Sequence, residues 1–241
     1  MPDGDAEALY DAGHFLEAAK IAEARGTAAS LAFAARATLM HAGYVAEDGE
    51  ALDELKKGEA LARESVAKDP KEVEGLLDLV IALGYLSREE GMMRAHEDGY
   101  GHEAQRLIRQ ALALAPSNGW AEAAYGGWNA EIVARGGRLI ASVLYGASRK
   151  KAVEAFEKAV KLDPGNPIIR VEYATALIRL EPKHPDLDAV RAQLAAALKQ
   201  PPKSAAERIL QAQGRKLLDA IGDDPPGDLA ALVKEMTPFE K

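Results

Sequence analysis

The stretch His96-Glu-Asp-Gly-Tyr-Gly-His102-Glu103 gathers two histidines and three carboxylates in eight residues, the residue types that hold a metal or move a proton. Six positions separate the histidines. Metal-binding pairs on a helix, as in His-Glu-x-x-His, share one face only when three or four apart, so a site here depends on how the glycine turn folds. An ordinary polar loop is the competing reading. His14, His41 and His184 stand alone and read as surface or capping residues. No cysteine occurs, which excludes thiolate zinc sites, iron–sulfur clusters, disulfides and cysteine nucleophiles. Gly-x-Ser-x-Gly, the phosphate loop Gly-x4-Gly-Lys-Ser/Thr and the dinucleotide fingerprint are also missing. The expectation is a non-catalytic protein with no catalytic residue, no metal and no cofactor, the alternative being a metal-dependent enzyme built on His96 and His102.

A different chemistry collects in the middle of the chain. Between Glu72 and Arg149 stand seven arginines and no lysine, although the chain has 15 of each, together with six of the 13 aromatic residues. Arginine grips carboxylates with a planar fork and stacks on rings, whereas lysine suits plain solvated faces. Enrichment in arginine and aromatics with loss of lysine is typical of binding surfaces. The candidate ligand-binding residues are therefore Tyr85, Arg94, Trp120, Tyr125, Trp128, Arg135 and Arg138. In the helix expected after Pro116, Trp120, Ala124, Trp128, Glu131 and Arg135 share a face, and Glu131 and Arg135 are placed to pair at i, i+4. On another face Ala123, Gly127, Ala130, Ala134, Gly137 and Ala141 form a smooth seam for a neighbouring helix or a second subunit. The two tryptophans either wall a pocket or fill the wedge between helices. Arg135-Gly-Gly-Arg138 is the expected kink.

The elements that must position these residues are helical. The chain has 241 residues, 48% of them hydrophobic, 28% charged and only 5% aromatic, with alanine dominating and no alternating β-branched runs. An all-α fold follows. Segments 58–70, 104–116, 152–164 and 189–201 each end in proline. Twelve residues before it stand Gly58, Ala104, Ala152 and Ala189, and five before it stand Ser65, Ala111, Ala159 and Ala196. Small residues seven apart lie on one helical face and let a neighbouring helix approach closely. Eight before the proline come Ala62, Ile108, Phe156 and Gln193, so the outer copies read as degenerate. Proline ends each helix and suits the opening of the next.

This pattern, clearest in Phe156-Glu-Lys-Ala159-Val-Lys-Leu-Asp-Pro164, resembles the second helix of a tetratricopeptide repeat (TPR), and Gly13-His-Phe15-Leu-Glu-Ala18 resembles the turn of the same repeat. The resemblance implies a right-handed superhelix of about five antiparallel helix pairs, forming one domain over residues 1–221 with a C-terminal capping helix. The prolines are 46, 48 and 37 residues apart where a TPR repeats about every 34, so two repeats are lengthened. The extra length is expected at 88–101 and 134–148. Tyr125-Gly-Gly-Trp128, continued to Tyr145-Gly-Ala-Ser148, resembles the divergent TPR proteins that include the TRAP-transporter-associated T component and the regulators of microtubule dynamics. Residues 222–241 read as a Pro/Gly break at Asp223-Asp-Pro-Pro-Gly227 followed by a short helix or tail.

The expected function is protein or ligand binding on a concave surface, with a protein or peptide partner or an apolar small molecule, and a possible homo-oligomer. The alternative implied by the TRAP resemblance is a solute-binding component with an apolar pocket. A net charge of −8 disfavours nucleic acid. The longest apolar run, Leu76–Leu86, is broken by Asp78 and Gly84, so membrane insertion is not expected. The acidic N-terminus lacks a secretory pattern and points to the cytoplasm, or to the periplasm if the sequence is a processed mature form.

Overall fold

The computed structural model describes residues 4–222 and 228–240, so the break read at Asp223–Gly227 lies outside the described residues. The described residues hold thirteen α-helices and no strand. Two compact units divide the chain: unit 1 comprises Met1–Pro116 with Lys203–Ala206, and unit 2 comprises Ser117–Pro202 with Glu207–Lys241.

Unit 1 contains α1 (Gly4–Ala12), α2 (Phe15–Glu23), α3 (Ala28–Tyr44), α4 (Asp48–Lys68), α5 (Val73–Glu90), α6 (Met92–Glu97) and α7 (Tyr100–Leu114). Packing pairs α1 with α2, α3 with α4, and α5 with α7. The turn between α1 and α2 uses Gly13 at φ +102°, and Phe15 and Ala18 beyond it are buried. Thr27 starts α3 with a capping box, accepting from Ser30 N while the Ser30 hydroxyl accepts from Thr27 N. The short α6 is the inserted length of this unit, as the spacing of the prolines requires.

Unit 2 contains α8 (Gly119–Ile140), a π turn (Ala141–Tyr145), α9 (Arg149–Leu162), α10 (Pro167–Leu180), α11 (Leu187–Leu198), most of α12 (Ala205–Gly222) and α13 (Leu229–Met236). Here α8 pairs with α9 and α10 with α11. Side-chain caps begin the helices: Asn118 accepts from Ala121 N, Ser148 from Lys151 N, and Asn166 from Ile168 and Ile169 N, with Pro167 in the first turn. The expected kink falls at Gly137, whose φ of 73° and ψ of 165° break α8. The π turn follows and ends at Gly146, which has φ +63°.

The small columns work by contact. A Cβ added to Gly58 would meet Leu39 Cδ2 at 2.7 Å, and Ser65 Oγ donates to Ala28 O at 2.7 Å, so α4 lies hard against α3. Ala111 and Ala159 are fully buried. In α11, however, Val190, Leu194 and Ala197 are fully buried while Ala189 and Ala196 are only partly so. The fourth copy is therefore in register with Pro202 rather than Pro201, and Leu194, not Gln193, fills its large position. That copy then matches the others except at its first small position, which holds Val190. Its apparent degeneracy arises from alignment on the first of two adjacent prolines.

Candidate binding site

In unit 1 the first helices of the pairs, α1, α3 and α5, carry a polar network inside an apolar frame. Asp78 is fully buried on α5 and accepts from Arg36 Nε of α3 at 3.2 Å, while Arg36 Nη2 also donates to Glu74. Burial pushes the Asp78 carboxyl up to about 7, against the pull of Arg36 and with Glu74 adding to the rise. The paired carboxylates raise Arg36 above its ordinary value although burial opposes them. Tyr10 closes the frame, its ring 5.0 Å from Phe15 and 5.5 Å from Phe33, and burial lifts its hydroxyl to about 12.

Of the candidate residues, Tyr85 and Arg94 belong to unit 1. Tyr85 is buried on α5 with the Arg88 guanidinium 5.7 Å from its ring centroid. Arg94 stands on the exposed α6 and pairs with Asp98 at 2.7 Å. His96 and His102 lie in α6 and α7, and among the described residues no group of three or more His, Cys, Asp or Glu is placed to hold a metal ion.

The other five candidates lie on α8 in unit 2. Tyr125 stacks on Trp128 at 6.3 Å with planes 9° apart, and Tyr145 of the π turn meets Trp128 edge-on at 6.3 Å. Burial raises the Tyr145 hydroxyl. Asn129, fully buried, ties the ends of this insertion together: its amide donates to Tyr125 O at 2.9 Å and its oxygen accepts from Ser148 N at 3.1 Å. Trp128 is thus packed, whereas Trp120 is 40% exposed at the start of α8. Of the expected seam, Ala123, Ala130 and Ala141 are buried and Ala134 and Gly137 are exposed, while the closest approach falls beside it at Gly126, whose added Cβ would meet the Phe156 ring at 2.6 Å, against 4.0 Å for Gly127.

Arg135 pairs with Glu131 at 3.6 Å, one helical turn away as the spacing requires. Glu131 also accepts from Arg179 of α10 at 2.8 Å, and Arg179 reaches on to Thr237 Oγ1 at 2.6 Å and Glu240 at 2.5 Å. Arg138 is exposed just past the kink. Several arginines of the lysine-free stretch therefore serve internal pairs, including Arg149 with Glu181 at 3.2 Å and Arg106 with Glu103 at 3.7 Å. Beside Arg135 and Arg179 lies a groove of about 210 Å³, also lined by Ala134, Ile178 and Val233. A wider groove of about 490 Å³ lies between the end of α11 and α12, near Pro201, Gln211 and Arg215. Neither tryptophan lines either one.

The model of the regulator of microtubule dynamics protein 1-3 family matches residues 5–222. The chain belongs to that family. Among solved structures, a thermophilic TPR protein from Thermus thermophilus superposes with a TM-score of 0.62 at 23% identity, covering 88% of this chain and 96% of that one. This likeness establishes a TPR-like helical-repeat fold for this family member. No curated protein matches it. No described helix is long and apolar enough to cross a membrane.

Sequence reasoning missed Arg36, Glu74 and Asp78, and it missed Arg179 with the tail residues it holds. For the first group a signal existed: Asp78 interrupts the most apolar run of the chain, and a carboxylate there needs a buried partner. Arg179 gave no such sign, because its partners are 48 and 61 residues away.

Proposed function

We propose that this chain is a non-catalytic binding or scaffold protein that takes a protein partner on the first-helix faces of its units, each unit presenting its own lengthened repeat as a contact arm. The observation that carries this reading is where large apolar side chains meet solvent. Elsewhere they stand singly, as at Leu16, Val45, Ile81 and Leu162, which is ordinary for any folded protein. At the insertions they cluster: Met92 and Met93 on α6, and Leu139, Ile140, Val143 and Leu144 along the kinked end of α8 and the π turn. Met93, Leu139 and Val143 are 80%, 77% and 71% exposed.

A repeat needs none of these groups to fold, and each arm is turned out between two positive-φ glycines, Gly91 and Gly99 around α6 and Gly137 and Gly146 around the π turn. Arg94 and Arg138 flank the two arms, the combination of apolar centre and arginine rim that protein interfaces favour. Tyr125 and Trp128 then act as the rigid base of the second arm and Trp120 contributes ring surface on the same unit, while the buried Tyr85 backs the first arm from α5. An apolar small molecule is the weaker reading, since the grooves of unit 2 are open and leave the tryptophans aside.

The test is the full-length double variant Leu139→Ser/Val143→Ser. Both positions are exposed, so helicity and melting should stay as in the wild type. Parallel affinity capture with the two proteins, followed by reconstitution with the purified binder, should show at least tenfold weaker binding by the variant. An unchanged set of binders with unchanged affinity would sink the reading. Loss of self-association instead would identify the partner as a second copy.

A further inference from the structure

α13 lies against α10, a first helix, with Leu229 and Val233 buried one turn apart. Beyond its end, Arg179 holds Thr237 and Glu240, and Gln213 of α12 donates to Met236 O at 3.2 Å. Phe239 adopts φ +60°, a left-handed conformation that a bulky residue rarely takes, and Glu240 N closes this turn on Thr237 O at 3.2 Å.

Three observations mark the segment as an occupant rather than a further repeat. It lies beyond residues 5–222, the part that the family model matches. It follows Asp-Asp-Pro-Pro-Gly, a sequence that cannot continue α12. It also fills its seat badly: the 210 Å³ groove remains open between Ala134 and Ile178 on the body and Ala230 and Val233 on α13. A larger apolar side chain in place of Ala230 would fill that space.

We infer that the α8–α10–α12 face of unit 2 is a docking site for a short amphipathic helix of a protein partner, and that residues 228–240 are a weak built-in occupant which the partner helix displaces. The partner's pattern follows from the seat: aliphatic residues four apart, a large apolar residue next to the first of them, and a carboxylate beyond the helix end for Arg179. With the tail gone, Arg179 keeps Glu131 on one side of its fork and offers the other to that carboxylate. This inference rests on the binding reading above and names the chemistry of the ligand.

The probe is a fluorescein-labelled peptide with the sequence of residues 227–241, and a second peptide carrying Ala230→Leu. Full-length Leu229→Asp/Val233→Asp, with its own tail released, should bind the first peptide at least tenfold more tightly than the wild type by fluorescence anisotropy. The Ala230→Leu peptide should bind several-fold tighter still, and Arg179→Glu in the released chain should abolish binding of both. Equal affinity for wild type and released chain, or indifference to Arg179→Glu, overturns the inference. So does a wild-type dimer that dissolves in the double variant, because the seat would then hold a second copy's tail. Should the double variant lose helicity, the wild type decides: displacement of its tail by the Ala230→Leu peptide, read as new protease cleavage after residue 222, supports the inference, and its absence overturns it. If the peptides fail while Leu139→Ser/Val143→Ser still weakens partner binding, only this inference falls.

Discussion

Arg36 in unit 1 and Arg179 in unit 2 are the same device put to different ends. Each stands on a first helix and grips two carboxylates. Both partners of Arg36, Glu74 and Asp78, come from the neighbouring helix α5, and Asp78 is sealed inside the unit. Arg179 has one partner in the repeat, Glu131 of α8, and one in the appended tail, Glu240. The first pairing fastens the body together, while the second latches a segment that a partner helix could replace. What separates them is whether a partner can leave without unfolding the helices that carry it.

The largest effect should come from breaking the sealed pair. Arg36→Ala leaves Glu74 and the buried Asp78 without their cation, and the expected loss in urea denaturation is about 3 kcal/mol. That figure is kept to the low end because Arg36 is itself partly exposed and Asp78 can take up a proton. Arg179→Ala should cost only about 1 kcal/mol, since Glu131 retains Arg135 at 3.6 Å and the tail is free to detach. Equal losses would end the distinction between fastener and latch.

The pH dependence of unit 1 sharpens the same contrast. Asp78 titrates near 7 in the fold but near the ordinary carboxylate value when unfolded, so between about pH 4 and 7 the folded chain holds the proton that the unfolded chain has released. Stability contributed by this group is therefore greatest below that window and falls as pH rises through it. Between pH 5 and 8 the wild type should lose about 2 kcal/mol relative to Asp78→Asn. A flat difference between the two proteins would mean that Asp78 is ionised throughout and that Arg36 outweighs burial.

The contrast also marks what the sequence could reveal. Prolines, caps and small residues act within a turn or two of themselves, so the helix pairs, the kink at Gly137 and both insertions were legible along the chain. The register of α11 slipped by one because Pro201 and Pro202 stand together and only packing shows which is aligned. In the candidate site, Tyr125, Trp128 and Glu131–Arg135 meet because a single helix spaces them, and Tyr145 joins them through the insertion that the repeat length already implied. Asp78 was visible as an interruption but not its partner Arg36, 42 residues earlier. The Arg179 latch was invisible, since it depends on how an appended segment folds back.

The smallest effects test the close approaches of the two units, and here the sign decides. Alanine in place of a helical glycine gains up to about 1 kcal/mol of helix propensity, so any contact penalty must be weighed against that gain. At Gly127 the nearest atom to an added Cβ is 4.0 Å away, and Gly127→Ala should raise the melting temperature slightly. At Gly58 the Cβ meets both Cγ and Cδ2 of the buried Leu39 at 2.7 Å, so the whole side chain must shift inside the core, and Gly58→Ala should destabilise, though less than a clash with a stacked ring. At Gly126 it meets the Phe156 ring at 2.6 Å, and that ring is itself pinned by a stack on Tyr173 at 5.1 Å. A planar ring held on its other face has nowhere to move, so Gly126→Ala should destabilise by about 1 kcal/mol net, overpacking exceeding the propensity gain. Calorimetric melts of the three single variants should therefore rank Gly127→Ala above Gly58→Ala above Gly126→Ala, and a Gly126→Ala protein as stable as the wild type would show that Phe156 is not the fixed wedge between α8 and α9.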